Sequence, residues 1–247
     1  MAQEVVKVTI SDIDDAINIG FKFEHTATKL PHDFINDFFP GIDLLDFLKQ
    51  IDDLLSSFAT GTIYKSVNMD DSAPFIWMLS YYALDSNNEN EDLIFLRTFI
   101  KHTNQLIVEH DKFSLPLRAR GQGVAKKVLA CSLKQYIQMG INKIKIHSAL
   151  KDGGYVWAKA GFKATDKKQM ATILNLAKQK LNQSQFNLVN RLFYAYYQND
   201  QEQNAFPIED WARLPFMEPI LRGSDRHGEI DLTDPDELLN FKNYVSG

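Results

Sequence analysis

The sequence predicts an α/β chain built on a mixed, mainly antiparallel sheet with flanking helices and a helical C-terminal extension. Three observations carry this. Four extended apolar segments follow one another between residues 62 and 117 with short links, and short links favour antiparallel neighbours. A loop containing two glycines then leads into an amphipathic helix and another alternating segment, a crossover that makes its two strands parallel. From residue 166 onward helical periodicity takes over, with Gln and Asn on the polar side. At 247 residues, 45% hydrophobic and 24% charged, the chain has the make-up of a globular protein with one large domain or two small ones.

Each element follows from local pattern. Residues 4–10 read as a strand, with Ser11 or Asp12 capping the helix that follows. Between Asp43 and Phe58, apolar residues from Leu44 to Phe58 repeat at helical spacing. Residues 1–60 are expected to belong to the same domain as the core at 61–165. That core begins with extended segments at 62–68, 74–84, 93–102 and 105–117, and the polar run Asp85 to Asp92 forms a hairpin loop. Val124, Val128, Leu129, Leu133, Tyr136 and Ile137 mark one face of a helix that Gly140 terminates. Residues 141–146 alternate as a strand, Asp152-Gly153-Gly154 breaks it, and a short helix at 155–160 precedes Gly161-Phe162. Residues 166–247 form the extension. It holds helices at 167–181 and 184–198, a short helix from Pro207 to Trp211, and a delayed closing strand near 228–232. A last helix is started by Asp234-Pro235-Asp236-Glu237.

Composition excludes several classes of function. A net charge of −5 argues against nucleic acid as the main partner. The longest apolar run, Ala73 to Leu79, is far too short to span a bilayer and contains Pro74, so no membrane partner is expected. The N-terminal residues lack the basic and apolar regions of a secretory signal, and Cys131, the single cysteine, falls on an apolar-periodic helix. Together these give a cytoplasmic expectation. The six histidines (25, 32, 102, 110, 147 and 227) form no metal-ligand pattern, so no metal is expected.

The most informative stretch is Leu117-Arg118-Ala119-Arg120-Gly121-Gln122-Gly123-Val124-Ala125. Two glycines let the backbone approach a ligand closely, and N–H groups at the start of the following helix can converge on an anion. The arrangement suits a pyrophosphate. A dinucleotide fold lacks support, because no third glycine follows at the required offset, and a nucleotide-triphosphate loop lacks its Gly-Lys-Ser/Thr.

Arg118-Ala-Arg-Gly121-Gln-Gly123 fits the acyl-CoA loop of the GCN5-related N-acetyltransferase (GNAT) superfamily: Arg or Gln, two residues, Gly, one residue, Gly or Ala. Val156-Trp157-Ala158-Lys159-Ala160-Gly161-Phe162 resembles that family's Phe-Tyr-x-x-x-Gly-Phe segment, and the likeness extends over roughly residues 60–165. The resemblance implies a GNAT-like fold and acetyl-CoA, or another acyl-CoA, as co-substrate at Leu117, Arg118, Arg120, Gly121, Gln122, Gly123, Val124 and Ala125. It also implies acyl transfer to an amine, on a small molecule or a protein, by direct attack.

Two departures bear on the chemistry. Trp157 stands where the family has the tyrosine proposed to protonate the leaving thiolate, and an indole N–H cannot do this. Leu150 stands where the family commonly has Asn. Glu109, on the strand entering the loop, is the expected base, because a positioned carboxylate can take the amine's proton. His147 and Ser148, near the end of the next strand, are alternates, and Tyr155 is the nearby phenol. The competing reading is a catalytically inactive module that keeps the fold and binds CoA or a protein partner. An exported effector is a third reading, supported only by the extension. That extension is expected to shape the acceptor side or an interface with a second copy or another protein.

Overall fold

A computed structural model describes residues 6–25, 28–148, 152–198 and 205–247, the side chain of His25 excepted. The chain divides into two compact units, residues 1–144 with 245–247 and residues 145–244.

The first unit begins with α1 (Ile10–Asn18). The Asp12 N–H donates to the Thr9 hydroxyl at 3.2 Å and the Thr9 N–H donates to the Asp12 carboxylate at 2.7 Å, a reciprocal cap. The strand expected at 4–10 is therefore corrected. Residues 6–9 form no strand, Ile10 is already helical, and residues 4 and 5 lie outside the described residues. Thr9, not Ser11 or Asp12, is the cap, because the Thr-x-x-Asp spacing satisfies both exposed N–H groups locally.

Strand β1 (Lys22–His25) is followed by helices α2 (Pro31–Phe38) and α3 (Leu44–Leu55), then by β2 (Tyr64–Asp70), β3 (Phe75–Ala83), β4 (Leu93–Lys101) and β5 (Leu106–Ser114). The strands lie in the order β1-β2-β3-β4-β5. From β2 to β5 each pair is antiparallel, the meander expected from the short links. β1 runs parallel to β2, with Lys22 opposite Ser66, in a sheet that is otherwise mainly antiparallel. At four residues β1 is too short for alternation to reveal, and only its long-range partner defines it.

One sheet face is buried and mainly apolar, formed by Val67, Trp77, Leu79, Tyr81, Phe95, Phe99 and Val108, with the polar side chains of Arg97 and His110 set among them. Trp77 and Phe99 stack with ring centroids 3.9 Å apart, and Phe99 meets the edge of Tyr136 on α4 (Val124–Met139) at 5.8 Å. Helix α3 packs beside α4, where the Asp43 N–H donates to Gln135 Oε1 at 3.0 Å. Gly140 ends α4 at φ +70, and the Ile141 N–H returns to the Tyr136 carbonyl at 2.9 Å. Asn142 and Leu106 then exchange hydrogen bonds of 2.7 and 2.8 Å, which fixes the start of β6 (Lys143–Ser148) in this unit.

The second unit continues from β6 through α5 (Gly153–Lys159), β7 (Lys163–Ala164), α6 (Lys167–Lys180) and α7 (Gln183–Tyr197). It ends with α8 (Glu209–Ala212), α9 (Glu218–Leu221), β8 (Arg226–Asp231) and most of α10 (Pro235–Ser246). β8 is the delayed strand: it lies between β6 and β7 and pairs antiparallel with β7, Lys163 opposite Glu229. The extension helices have their own core around Met170, Ile173, Ala177, Val189, Phe193 and Trp211. Gly228 is required by its neighbour. A Cβ there would stand 2.8 Å from Arg226 Nη1, on a buried guanidinium that donates to the Gly154 carbonyl at 3.2 Å. Among the described residues, no helix is long and apolar enough to cross a membrane.

Candidate functional site

The loop at 115–125 belongs to the first unit. Leu117–Ala119 make one 3₁₀ turn, and α4 begins at Val124. Gly121 and Gly123 both take the left-handed conformation, at φ +75 and +74, where any side chain is strained. Nothing lies within 4 Å of a Cβ built on either glycine, so the turn borders open space. Gly123 is the N-cap and supplies no side-chain acceptor to the first turn of α4. Gly121, Gln122 and Gly123 are exposed, Val124 is buried, and Ala125 is half-buried. Leu117 is an exposed apolar residue beside the turn.

The two arginines brace the loop from behind. Arg118 pairs with Glu91 at 2.8 Å and donates to the Phe58 carbonyl at 2.6 Å, while Arg120 Nε donates to the Leu115 carbonyl at 2.9 Å. Gln122 reaches back to the Arg118 carbonyl. These bonds fix the curvature of the turn, and the charge of Arg118 is largely spent on Glu91.

Glu109 is half-buried on β5, opposite Thr98 of β4. The ladder slips at this point. Leu96 pairs with Lys112 but Thr98 with Glu109, so His110 and Asp111 together face Arg97, a β-bulge. The Thr98 hydroxyl donates to Asp111 at 2.9 Å, which puts a second carboxylate beside the same threonine. On the buried side, His110 Nε2 and the Tyr136 hydroxyl are 3.0 Å apart. Arg97 lies over Phe95 at 4.2 Å and donates to the Leu96 carbonyl at 2.7 Å. Burial drives the proton affinity of both Arg97 and His110 down.

The other expected residues lie in the second unit. Tyr155 has its ring flanked by Lys159 at 5.5 Å and Arg222 at 5.4 Å, and it lines a cleft of about 370 Å³ with Lys159, Glu209, Arg213 and Glu218. Both arginines are paired there, Arg213 with Glu209 at 2.7 Å and Arg222 with Glu218 at 2.8 Å. Trp157 is used for packing, edge-on to Phe162 at 5.0 Å. Leu150 lies outside the described residues.

His147 is half-exposed on β6. Its Nε2 lies 2.6 Å from Asp225 Oδ1, and its ring stacks on His227 of β8 at 4.4 Å and 7°. Sequence reasoning misses the partners Asp225 and His227. The pair Asp225-x-His227 is visible in the sequence, but its adjacency to His147 depends on β8 pairing beside β6 across some 80 residues of chain. Among the described residues, no group of three or more His, Cys, Asp or Glu is arranged to hold a metal ion.

Cys131 and Tyr136 of α4 give a test of this packing. Burial pushes the thiol up to about 11 and the phenol up to about 12. Both folded values are raised, so their contribution is full below the unfolded values near 9 and 10 and is lost as pH rises through 11 and 12. A pKa that differs by one between the folded and unfolded chain is worth about 1.4 kcal/mol, so the two groups together remove a few kcal/mol of stability between about pH 9 and 12. Alkaline unfolding followed by circular dichroism is expected to begin above about pH 9, and later in Cys131→Ala. An unchanged alkaline midpoint in that variant refutes the contribution of the thiol.

Neither the family models nor the curated proteins compared with this chain match it.

Proposed function

We propose that the chain is an acyl-CoA-dependent N-acyltransferase, most simply moving an acetyl group to a primary amine. The observation that supports this best is the turn at Gly121–Gly123. Two left-handed glycines border open space at the start of a sixteen-residue helix whose first turn has no side-chain cap. Such N–H groups, with the positive end of the helix dipole, suit a pyrophosphate. CoA supplies the acyl group as a thioester. In this reading residues 121–125 hold the pyrophosphate, Arg118 and Arg120 keep the turn in shape, and Leu117 packs on the ligand's apolar arm. Glu109, with Asp111 beside Thr98, attracts the ammonium of the acceptor, and Glu109 takes the proton from its nitrogen. Cys131 stays out of the reaction, because a partly buried thiol with raised pKa is a poor nucleophile at neutral pH. A cytoplasmic location and an amine acceptor, on a small molecule or a protein, complete the proposal.

The packing of Trp157 against Phe162 favours one second reading, a module that binds CoA without turnover. The test common to both is thermal denaturation with ligands. CoA and acetyl-CoA are expected to raise the melting temperature in proportion to the logarithm of concentration, while NAD and ATP leave it unchanged. No shift with millimolar CoA in folded protein rejects both readings. A shift without acetyl transfer across a panel of amines selects the inactive module.

A further inference from the structure

We propose that a chloride ion, held by Arg226 and Ser148 inside the second unit, is bound as part of the fold where β8 meets α5. The site is independent of the acyltransferase reading, and all its residues lie within 145–244. Strands β6 and β8 are neighbours. His147 stacks on His227, and Ile146 Cγ1 is 3.2 Å from a Cβ built on Gly228. These two contacts run in opposite chain directions, so the next residues along, Ser148 and Arg226, stand opposite each other. Burial alternates in step. Ile144, Ile146 and Ser148 are buried, as are Arg226, Gly228 and Ile230, which puts both polar side chains on the covered face. Opposite residues of an antiparallel pair have Cβ atoms roughly 5 Å apart, close enough for one ion to touch both side chains.

Arg226 is 0% exposed and Ser148 is 1% exposed. Arg226 Nη2 donates to the Gly154 carbonyl at 3.2 Å, but Nε and Nη1 meet no acceptor among the described residues. The Ser148 hydroxyl likewise has no partner among them. A guanidinium keeps its proton at neutral pH, so a full positive charge is enclosed here. Burial lowers its proton affinity, and no carboxylate among the described residues acts against that. Arg97 in the first unit shows the alternative arrangement. It is equally buried, yet it lies over Phe95 at 4.2 Å and Phe113 at 5.5 Å, and the charge of Asp111 supports its own. At Arg226 a water molecule would satisfy an N–H but leave the charge uncompensated, whereas an anion does both. Packing decides which anion. A Cβ on Gly154 would collide with the Leu221 carbonyl and Ser224 Oγ, and one on Gly153 would stand 3.8 Å from Ser148 Cβ. Backbone this close admits nothing larger than a monatomic ion, which rules out sulfate and organic acids.

The test is thermal unfolding of the full chain while sodium gluconate is exchanged for sodium chloride at one ionic strength, which holds the screening of surface charges constant. The melting temperature of the parent is expected to rise with the logarithm of chloride concentration. A melting temperature that ignores the exchange overturns the proposal and leaves water as the partner of Arg226. Ser148→Ala is expected to need about tenfold more chloride for the same gain, the cost of one hydrogen bond to a charge. A chloride dependence in S148A equal to that of the parent overturns the shared site. Arg226→Met removes the charge and should abolish the dependence. A dependence that survives in folded R226M is the mark of adventitious surface ions only, and it too overturns the proposal. Crystals of the parent grown in sodium bromide give a reading that needs no variant. An anomalous bromine peak is expected in contact with the Arg226 guanidinium and Ser148 Oγ, and its absence beside well-ordered side chains overturns the site.

Discussion

Glu109→Gln is expected to lower acetyl transfer at least about 100-fold while leaving CoA affinity within a factor of two. Glutamine keeps the shape and the hydrogen-bonding reach of the side chain but cannot accept a proton from an ammonium, and general base catalysis is worth about 10²–10⁴-fold. The half-buried position opposite Thr98 makes the isosteric change mild for folding. Asp111 sits beside the same threonine, so Asp111→Asn serves as the comparison: it should weaken binding of a cationic amine with a smaller effect on kcat. Steady-state kinetics with an amine substrate, joined to a CoA thermal shift, separates the two effects. Parent-like kcat in E109Q removes Glu109 as the base.

Gly123→Val is expected to weaken CoA binding by about 2 kcal/mol, roughly thirtyfold, the scale of a close steric conflict. With φ at +74 and no atom within 4 Å of an added Cβ, the valine would project into the open space beside the turn, where the ligand is proposed to lie. Its two branches leave it little freedom to rotate away. Gly123→Ala separates backbone strain from obstruction. The left-handed conformation gives that change a cost of about 1–2 kcal/mol in folding. That cost should appear as a lower melting temperature with CoA affinity largely retained. Isothermal titration of the three proteins resolves the point. A folded G123V that binds CoA as tightly as the parent reduces the loop to an ordinary turn.

What is legible in the sequence is what local physics determines. Apolar spacing locates α3, α4, α6 and α7, extended apolar segments with short links locate β2 to β5, and Gly140 and Asp234 mark helix ends through caps that span only a few residues. Even β8 is readable, because Gly228 to Leu232 alternate and a turn follows. The failures have a common cause. The segment at 6–10 is apolar and alternating, yet Thr9 and Asp12 offer it a self-contained helix start, while a strand needs a neighbour that the sequence does not name. β1 shows the converse: Lys22–His25 has little pattern of its own and is a strand because β2 accepts it.

The candidate site divides in the same way. The two glycines of the loop announce their left-handed geometry, and Glu109 announces its strand. The ion pair between Arg118 and Glu91, the bulge at His110–Asp111 and the stack of His147 on His227 all join residues distant in sequence. Arg118 illustrates the limit most sharply. Its position in the motif suggests a charge aimed at phosphate, whereas its fork is shared between a glutamate and a backbone carbonyl.

That arrangement changes the physics of any anion that settles at the turn. Mobile surface cations attract at long range and lose their hold as salt rises, with a screening length of about 8 Å at physiological ionic strength. Here the guanidinium of Arg118 is paired with Glu91 while Arg120 donates to the Leu115 carbonyl, so Arg118 adds little attraction at a distance and the grip at contact comes largely from peptide dipoles. The dipolar part of that grip is short-ranged, little affected by the ionic medium, and sensitive to the angle at which oxygen atoms are presented. The turn would thus choose among anions by their shape, where a ring of unpaired arginines would choose by their charge.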